Sequence, residues 1–297
     1  MTINSAELPT PKMSTPVAGK PTGFSLSRML LNIVLAFWAA LVVFPMLWLL
    51  YTSFKTDKEI FFSPWSLPEA LQWDNYVRGW VDAHIGDYFL NSFIVVLPSL
   101  VLILGLSAMT AYVLARFPFP GNRIIFYGFM AGMLFPVFLA LIPLFFLVKD
   151  LGMLNSFPGL ILVYTAYSLP FSVFFLTGFF KTLPSELHEA AIIDGANQFQ
   201  VFFRVMLPLA QPGLLSIGIF NFLGMWNQYL LPLVLMSDAK NYVLTQGLAY
   251  MLHQQYYQND WSALFAAVSM IMIPTLLVYS IFQSQIQKGI TVGALKG

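Results

Sequence analysis

The residues of this sequence best suited to binding a solute are uncharged polar and aromatic side chains within its apolar stretches. They are Asn91, Ser92, Tyr164, Tyr167, Ser168, Asn221, Trp226, Asn227, Gln228 and Tyr229. Amide and hydroxyl groups donate and accept hydrogen bonds, and aromatic rings offer faces, so this set suits a pathway for a neutral, hydroxyl-rich solute. Pro232 predicts a loosened helix beside Asn227–Tyr229, in which some backbone carbonyls make no helical hydrogen bond. Hydrogen bonding between neighbouring helices is the alternative interpretation, and both stay open here.

The same stretches lack the groups that ion-coupled transport and membrane proteolysis use. None contains Asp, Glu, Lys or Arg, and the histidines His84, His188 and His253 fall in loops, far apart in sequence. Carboxylates and histidines are the usual proton relays inside membranes. The chain also has no cysteine and no Gly-x-x-x-x-Gly-Lys-Ser/Thr motif for ATP. We therefore predict no catalytic site, metal site or cofactor in this chain, and another subunit must energise any uphill transport.

Residues 183–195 have the sequence of a short helix within a loop. Pro184 suits the first turn, Glu186 complements the positive helix end, and Gly195 suits the left-handed residue after the last turn. One face at helical spacing carries Leu187, Ala190, Ala191 and Asp194. The two alanines are predicted to let a partner approach closely. The alternative is a surface helix that merely connects two spans.

A second helix is predicted directly after this one. Its proposed apolar face consists of Phe199, Phe202, Phe203 and Met206. Leu207 and Pro208 are then expected to turn the chain into the next apolar stretch.

The composition indicates what kind of protein positions these residues. Of the 297 residues, 58% are hydrophobic and 9% are charged, whereas soluble domains carry about 25% charged residues. This excludes a soluble enzyme and a nucleic-acid binder, and the net charge of +1 gives no electrostatic partner. Six stretches without charged residues each exceed the ~20 residues that cross a bilayer, namely 29–54, 88–115, 124–148, 151–180, 205–237 and 261–287. The sequence thus predicts an all-α, polytopic membrane protein with six continuous transmembrane helices.

The charges of the loops predict the orientation. Residues 1–24 contain four prolines and are expected to form a disordered tail, followed by one six-helix domain over 25–297. The first apolar stretch is too long and too late for a cleaved signal peptide. With the N-terminus inside, nine of the 14 Lys and Arg lie inside and five outside. The positive-inside rule then places both termini and the 181–208 loop in the cytoplasm.

The 181–208 loop resembles the EAA loop of ABC importer permeases. That pattern reads Glu-Ala-Ala, three residues, Gly, nine residues, Ile, one residue, Leu-Pro. At these spacings the chain has Glu189, Ala190, Ala191, Gly195, Val205, Leu207 and Pro208, and valine for isoleucine is the one departure. Several further segments are similar to the carbohydrate-uptake branch and its maltose-permease-like short subunit, namely 73–76, 91–92, 194–196 and 288–297.

This resemblance implies the type I ABC importer permease fold and passage of a sugar across the bacterial cytoplasmic membrane. It implies a second permease subunit, two cytoplasmic ATPases that bind ATP and Mg, and an extracytoplasmic sugar-binding protein. The EAA loop would form a coupling helix in a groove of the ATPase, with roles for Glu189, Ala190, Ala191, Asp194, Gly195, Leu207 and Pro208. The implied contact loop for the binding protein contains Lys240, Asn241, Tyr242, Gln246 and Gly247.

A membrane scaffold that docks a cytoplasmic partner without passing a solute is the alternative function. Solute-stimulated ATP hydrolysis by the assembled complex separates the two. The sequence does not identify the sugar. A di- or oligosaccharide, including an amino sugar, is the working hypothesis.

Overall fold

The computed structural model describes residues 26–294, so the expected tail 1–24 and the last three residues lie outside the described part. All regular elements in the described part are helical, which confirms the all-α prediction. The α-helices are α1 Leu26–Thr52, α2 Asp57–Phe62, α3 Asp74–Val77, α4 Ile85–Arg116, α5 Asn122–Leu134, α6 Val137–Asp150, α7 Phe157–Thr182, α8 Ser185–Ile193, α9 Gln198–Val201, α10 Leu207–Leu209, α11 Gln211–Trp226, α12 Leu230–Leu235, α13 Leu244–Gln258 and α14 Trp261–Ala294. Shorter turns are the π-helical Arg78–Asp82 and Phe202–Met206 and the 3₁₀ turn Ala239–Asn241.

The chain divides after Trp48 into two compact units. The described part of the first unit is α1 up to that residue, and α1 is long and apolar enough to cross a bilayer. The second unit holds the end of α1 and all the elements that follow. Both candidate sites described below lie wholly within this second unit.

The membrane-spanning elements differ from the predicted six continuous helices. Among the described residues, α1, α4, α7 and the Trp261–Gln285 part of α14 are single helices of sufficient length and apolarity. The other two predicted spans are bent pairs: α5 and α6 meet at 102°, and the helical stretch Gln198–Leu209 meets α11 at 71°. The count of six holds only if each bent pair is one span, and the prediction of unbroken helices is wrong for these two.

Proline chemistry explains where the two bends lie. Phe135 has extended backbone angles, φ −82° and ψ 114°, because a following proline disfavours the α region for the residue before it. Pro136 then stands as the N-cap of α6. Pro212 similarly occupies the first turn of α11, where its missing N–H removes no helical bond.

The second unit is built around α4 and α7, which pack along each other, with α11 against both. One apolar cluster surrounds the beginning of α4 and the 225–244 segment. A second cluster joins the ends of α4 and α7 to the 201–217 segment. Buried hydroxyls such as Ser99, Ser107 and Thr165 donate to the carbonyl four residues earlier in their own helix. These bonds satisfy polar groups inside the apolar packing without a partner helix.

Candidate functional site

The loop helix α8 ends in a Schellman motif. Pro184 precedes α8 as its N-cap, one residue earlier than predicted. The N–H of Gly195 donates to the carbonyl of Ile192, and the N–H of Ala196 donates to that of Ala191, both at 3.0 Å. Gly195 has φ +84°, which confirms the predicted left-handed conformation. These bonds satisfy the last carbonyls of α8 and fix the direction in which the chain leaves it.

One face of α8 is packed against the protein. The ring of His188 lies 6.3 Å from that of Tyr112 and 6.1 Å from that of Phe117, measured between centroids. Ala191 is half-buried against the cluster at the ends of α4 and α7. Ala190 is exposed instead, because successive residues of a helix point about 100° apart. The structure therefore does not place the two alanines on one free face as the sequence predicted.

The opposite face of α8 is exposed and contains Glu186, Glu189, Ala190 and Ile193. Ile193 is 85% exposed, although it is a large apolar residue. Sequence reasoning missed this residue. The available signal was the pair Ile192–Ile193, because only one of two adjacent residues can face the body of a protein from a surface helix.

The ends of α4 and α7 form part of the base on which α8 rests, beside the 198–206 segment against which α8 also packs. Arg116, the last residue of α4, donates from Nη2 to the carbonyl of Phe180 at 3.0 Å and to that of Leu183 at 2.7 Å. These carbonyls belong to the end of α7 and to the residue that leads into α8, so the cation caps α7. We call Tyr112, Arg116, Phe117, Phe180 and Leu183 the α8 seat. No motif indicated Arg116, since its partners are 64 and 67 positions away.

The second loop helix is one helical stretch from Gln198 to Leu209 with a π turn in its middle. The side chain of Asn197 caps its beginning in a capping box with Gln200. The predicted apolar face divides into the buried pair Phe202 and Met206 and the exposed pair Phe199 and Phe203. The wider π turn rotates the residues away from their regular helical positions. Leu207 and Pro208 lie in α10, directly before the bend into α11, as predicted.

The second candidate site is a cavity of about 370 Å³ lined by residues of α5, α7, α11 and α12. This volume is within the ~300–1,000 Å³ that is usual for small-molecule pockets. Its polar lining consists of Tyr164, Tyr167, Ser168, Asn221 and Gln228, and the other described lining residues are apolar. The cavity therefore offers hydroxyl, amide and aromatic groups without a charge.

The helix beside this cavity breaks between Trp226 and Leu230, close to Pro232 as predicted. The Oε1 atom of Gln228 accepts hydrogen bonds from the N–H groups of Tyr229 and Leu230, at 3.1 and 3.2 Å. Its backbone carbonyl accepts the hydroxyl of Thr245 at 2.6 Å. The break thus leaves these backbone groups without helical hydrogen bonds, and the side chains of Gln228 and Thr245 bind them instead.

Two residues that line the cavity differ in the hydrogen bonding of their side chains. Asn221 donates from Nδ2 to Ser172 Oγ at 2.9 Å, which joins α11 to α7, and to the carbonyl of Ile217 in its own helix at 3.0 Å. Tyr164 is 2% exposed, and its hydroxyl has no hydrogen-bond partner among the described residues.

The other residues of the predicted pathway lie outside the cavity lining. Asn91 donates from Nδ2 to the carbonyls of Lys240 and Tyr242, at 2.9 and 3.0 Å, and so holds the 240–242 segment on α4. Trp226 is buried with its ring packed against those of Phe89, Phe93 and Phe222. Asn227 donates to the carbonyl four residues earlier in α11, and Tyr229 is not among the lining residues.

The 240–247 segment has one exposed end and one buried end. Lys240 is exposed and forms an ion pair with Asp238 at 3.1 Å. Asn241 and Tyr242 are half-buried, and Asn241 donates to the carbonyl of Asn155 at 3.0 Å. The buried residues are Gln246, which donates to the carbonyl of Met236 at 2.7 Å, and Gly247, where a Cβ would overlap the ring of Tyr88.

One known protein family matches the part of the chain that holds both candidate sites. The family described as "Binding-protein-dependent transport system inner membrane component" matches residues 88–292, which include α8 and the cavity. The diacetylchitobiose uptake system permease protein NgcG of Streptomyces coelicolor is 52% identical over 263 residues, covering 89% of this chain and 87% of that protein. DasC, a diacetylchitobiose permease protein of the same organism, is 34% identical and covers 86% and 92%.

A solved structure shows the same fold. A chain in the crystal structure of a bacterial ABC transporter that imports the acidic polysaccharide alginate has a TM-score of 0.77 at 23% identity, covering 88% of this chain and 98% of that chain. The fold is therefore that of a type I ABC importer permease, as predicted. The matched family is a multi-pass membrane component of transport and not an enzyme. The chain belongs to the family of binding-protein-dependent transport system inner membrane components.

Proposed function

We propose that this chain is one of two different permease subunits of an importer for an N-acetylated amino-sugar oligosaccharide, with diacetylchitobiose as the first candidate. The supporting observation is the 52% identity with NgcG over nearly the whole chain. The uncharged polar cavity agrees with such a cargo, because this sugar has hydroxyl and amide groups and no charge.

In this proposal α8 couples the permease to an ATPase. The exposed Glu189, Ala190 and Ile193 enter a groove of the ATPase, while His188 packs on the α8 seat and Ala191 on the second apolar cluster. The left-handed turn at Gly195 sets the exit angle, and the backbone N–H of Asp194, bonded to the carbonyl of Ala190 at 3.0 Å, closes the last turn. Leu207 and Pro208, directly before the 71° bend, connect this loop to α11.

Movement of α8 then reaches the membrane through the seat. Arg116 joins the end of α4 to the end of α7, so both helices follow when α8 is displaced. Since α7 lines the cavity, displacement changes access to it. ATP and Mg are bound by two partner ATPases in this proposal, and this chain supplies no cofactor.

The outer side is assigned to a sugar-binding protein. Lys240 is the exposed residue of the predicted contact set, with Asn241 and Tyr242 half-buried beside it. Gln246 and Gly247 are buried behind these residues and would support the contact surface from within. Both termini and the 181–208 loop are assigned to the cytoplasm.

The test is reconstitution of the complete transporter, with both permeases, the ATPases and the binding protein, in liposomes. We expect ATP-dependent uptake of labelled diacetylchitobiose, and hydrolysis stimulated by the sugar-loaded binding protein. This chain reconstituted alone is expected to accumulate no sugar. Hydrolysis that no sugar stimulates would instead identify a scaffold, and uptake driven by a proton gradient would contradict the ABC mechanism.

A further inference from the structure

Two further cavities adjoin each other at the end of α4, and neither shares a lining residue with the cavity described above. The first, of about 720 Å³, is lined by the 114–124 segment, and we call it the cationic cavity because Arg116 and Arg123 line it without any carboxylate. The second, of about 370 Å³, is lined by α4 and the 198–203 segment. We call it the apolar cavity, since all but one of its lining side chains are apolar or aromatic. Phe117 lines both, so the two cavities meet at this residue.

Both arginines of the cationic cavity have donors that the described part of the protein does not use. Arg116 bonds to the carbonyls of Phe180 and Leu183 through Nη2 alone. Its Nε is fully buried without a partner, which leaves Nη1 as the accessible donor. Arg123 is exposed, and its side chain forms no ion pair or hydrogen bond with the described residues. The cationic cavity therefore keeps an uncompensated positive charge that suits an anion, and arginine binds phosphate oxygens well.

The position of these cavities along the spans indicates the kind of anion. Arg116 is the last residue of the candidate span α4, and α5 begins the bent pair that is also a candidate span. The apolar cavity lies one to two turns deeper on α4, where Met109 and Val113 are 44% and 41% exposed. On its other segment, Phe199 is 77% and Phe203 is 54% exposed. Apolar surface at the depth of the span, followed by cations at its end, is the order of groups that matches a phospholipid.

We propose that the two cavities together bind one anionic phospholipid of the cytoplasmic leaflet. Its phosphate lies beside Arg116 and Arg123, and one acyl chain lies in the apolar cavity lined by Val113 and Phe203. An anionic headgroup is favoured over phosphatidylcholine, whose own cation is repelled by the two arginines, and basic pockets beside spans attract anionic lipids. The proposal goes beyond sugar import and uses only the proposed assignment of this end of α4 to the cytoplasm.

The first test detects the lipid in the assembled transporter, in nanodiscs of phosphatidylcholine with a minor fraction of phosphatidylglycerol that carries a photoactivatable acyl chain. After irradiation and digestion, we expect lipid adducts on 109–117 and 198–203. Arg123→Gln should lower their yield about fivefold, the contribution of one cation beside an anionic lipid. Arg204→Gln is the matched control, since Arg204 is exposed in the same loop region but lines neither cavity. An equal loss in both variants would indicate general attraction to a basic surface and overturn the site.

The second test fills the place of the acyl chain. Val113→Trp adds bulk to the apolar cavity and should lower the adduct yield on 198–203. Val101→Trp is the control, because Val101 is 70% exposed on the same helix and lines neither cavity. An unchanged yield in Val113→Trp would contradict the proposed place of the chain.

Competition and lipid exchange distinguish a phospholipid from other occupants. Excess soluble glycerol phosphate offers the same phosphate without a chain and should leave the adducts unchanged, whereas their loss would identify a free phosphate site. Phosphatidylcholine with the same photoactivatable chain should give a lower yield, and an equal yield would overturn the role of the arginines. The absence of adducts from both segments would indicate that a protein partner covers them. Both leaflets of the nanodisc contain the anionic lipid, so these results do not depend on the orientation or the cargo, which are tested separately.

Discussion

Arg78 binds Asp260 through two hydrogen bonds, from Nε to Oδ2 at 2.9 Å and from Nη2 to Oδ1 at 3.1 Å. The same guanidinium donates to Ser262 Oγ at 3.0 Å, and Asp260 accepts the N–H of Ala263 at 3.2 Å. Asp57 accepts the N–H of Ser262 at 2.7 Å. The beginning of α14 is therefore fastened to the helical segments that precede α4.

The Arg78–Asp260 contact is expected to weaken in acid. Burial raises the pKa of Asp260, but the hydrogen bonds from Arg78 and Ala263 outweigh it, and the net pKa lies below its ordinary value. A carboxylate with a lowered pKa stabilises the fold above its unfolded pKa, and this contribution is lost as the pH falls through the folded value. We therefore expect the protection of amides 260–266 against hydrogen exchange, relative to their intrinsic exchange rate, to fall in the assembled complex only below the ordinary Asp pKa of about 3.9.

Asp260→Asn is the matched variant for this prediction. It removes the charge, so the protection of amides 260–266 should be lower than in wild type already at neutral pH. This protection should then no longer depend on acid. An unchanged pH profile in this variant would show that another group controls the segment.

Gly195→Val is expected to abolish most sugar uptake while the protein still inserts at normal levels. A Cβ would meet open space there, so the penalty is the left-handed backbone itself, about 1–2 kcal/mol. Gly195→Asn should retain activity, because asparagine tolerates this conformation better than other residues. Uptake normalised to membrane levels and co-purification of the ATPase are the measurements. Wild-type values for Gly195→Val would remove the coupling role from α8.

Ile193→Asp is expected to release the ATPase without destabilising the permease. The residue is 85% exposed, so its replacement leaves the packing of the subunit unchanged, while a docked carboxylate would be buried without a partner. Phe62→Asp is the control, since Phe62 is 86% exposed on α2. Co-purification of the ATPase should fall at least about tenfold for Ile193→Asp and stay normal for the control. Equal retention in both variants would assign docking to another surface.

Ala191→Leu and Ala190→Leu are expected to act on opposite sides of α8. Leucine at the half-buried Ala191 overfills its contact with the second apolar cluster, at a cost of about 1–3 kcal/mol. Hydrogen exchange at 184–197 should therefore increase in the permease itself. Ala190→Leu should weaken only ATPase binding and leave that exchange unchanged. If the two variants behave alike, the division of α8 into a packed and a free face is wrong.

The orientation is tested by single cysteines in this naturally cysteine-free chain. Ser185→Cys should resist a membrane-impermeant maleimide in intact cells and react in inverted vesicles. Ser237→Cys, in the predicted outer loop, should show the reverse. Labelling of Ser185→Cys in intact cells would overturn the topology.

Sequence reasoning succeeded where local rules decide the structure. The left-handed Gly195 follows from the steric freedom of glycine after a helix. The bend at Phe135 was not predicted, because Pro98 and Pro170 lie inside helices that continue past them, and packing decides between these outcomes. Contacts between distant segments leave no local pattern. Asn155, with φ +54°, accepts the N–H groups of Ser237 and Asp238 through its side chain, and nothing in its neighbourhood indicated this.

The contacts of α8 also limit which segments can be exchanged by recombination between permeases of this family. A chimera that receives residues 184–195 alone acquires a new docking surface, but its His188 position then rests on the Tyr112 and Phe117 positions of a foreign host, and the rest of α8 packs on a foreign 198–206 segment. The functional module is therefore discontinuous in the gene, comprising 112–117 together with 180–206. Recombination that separates these two segments would have to be repaired by compensating substitutions at their contact. A change of ATPase partner would therefore be accompanied by substitutions in both segments.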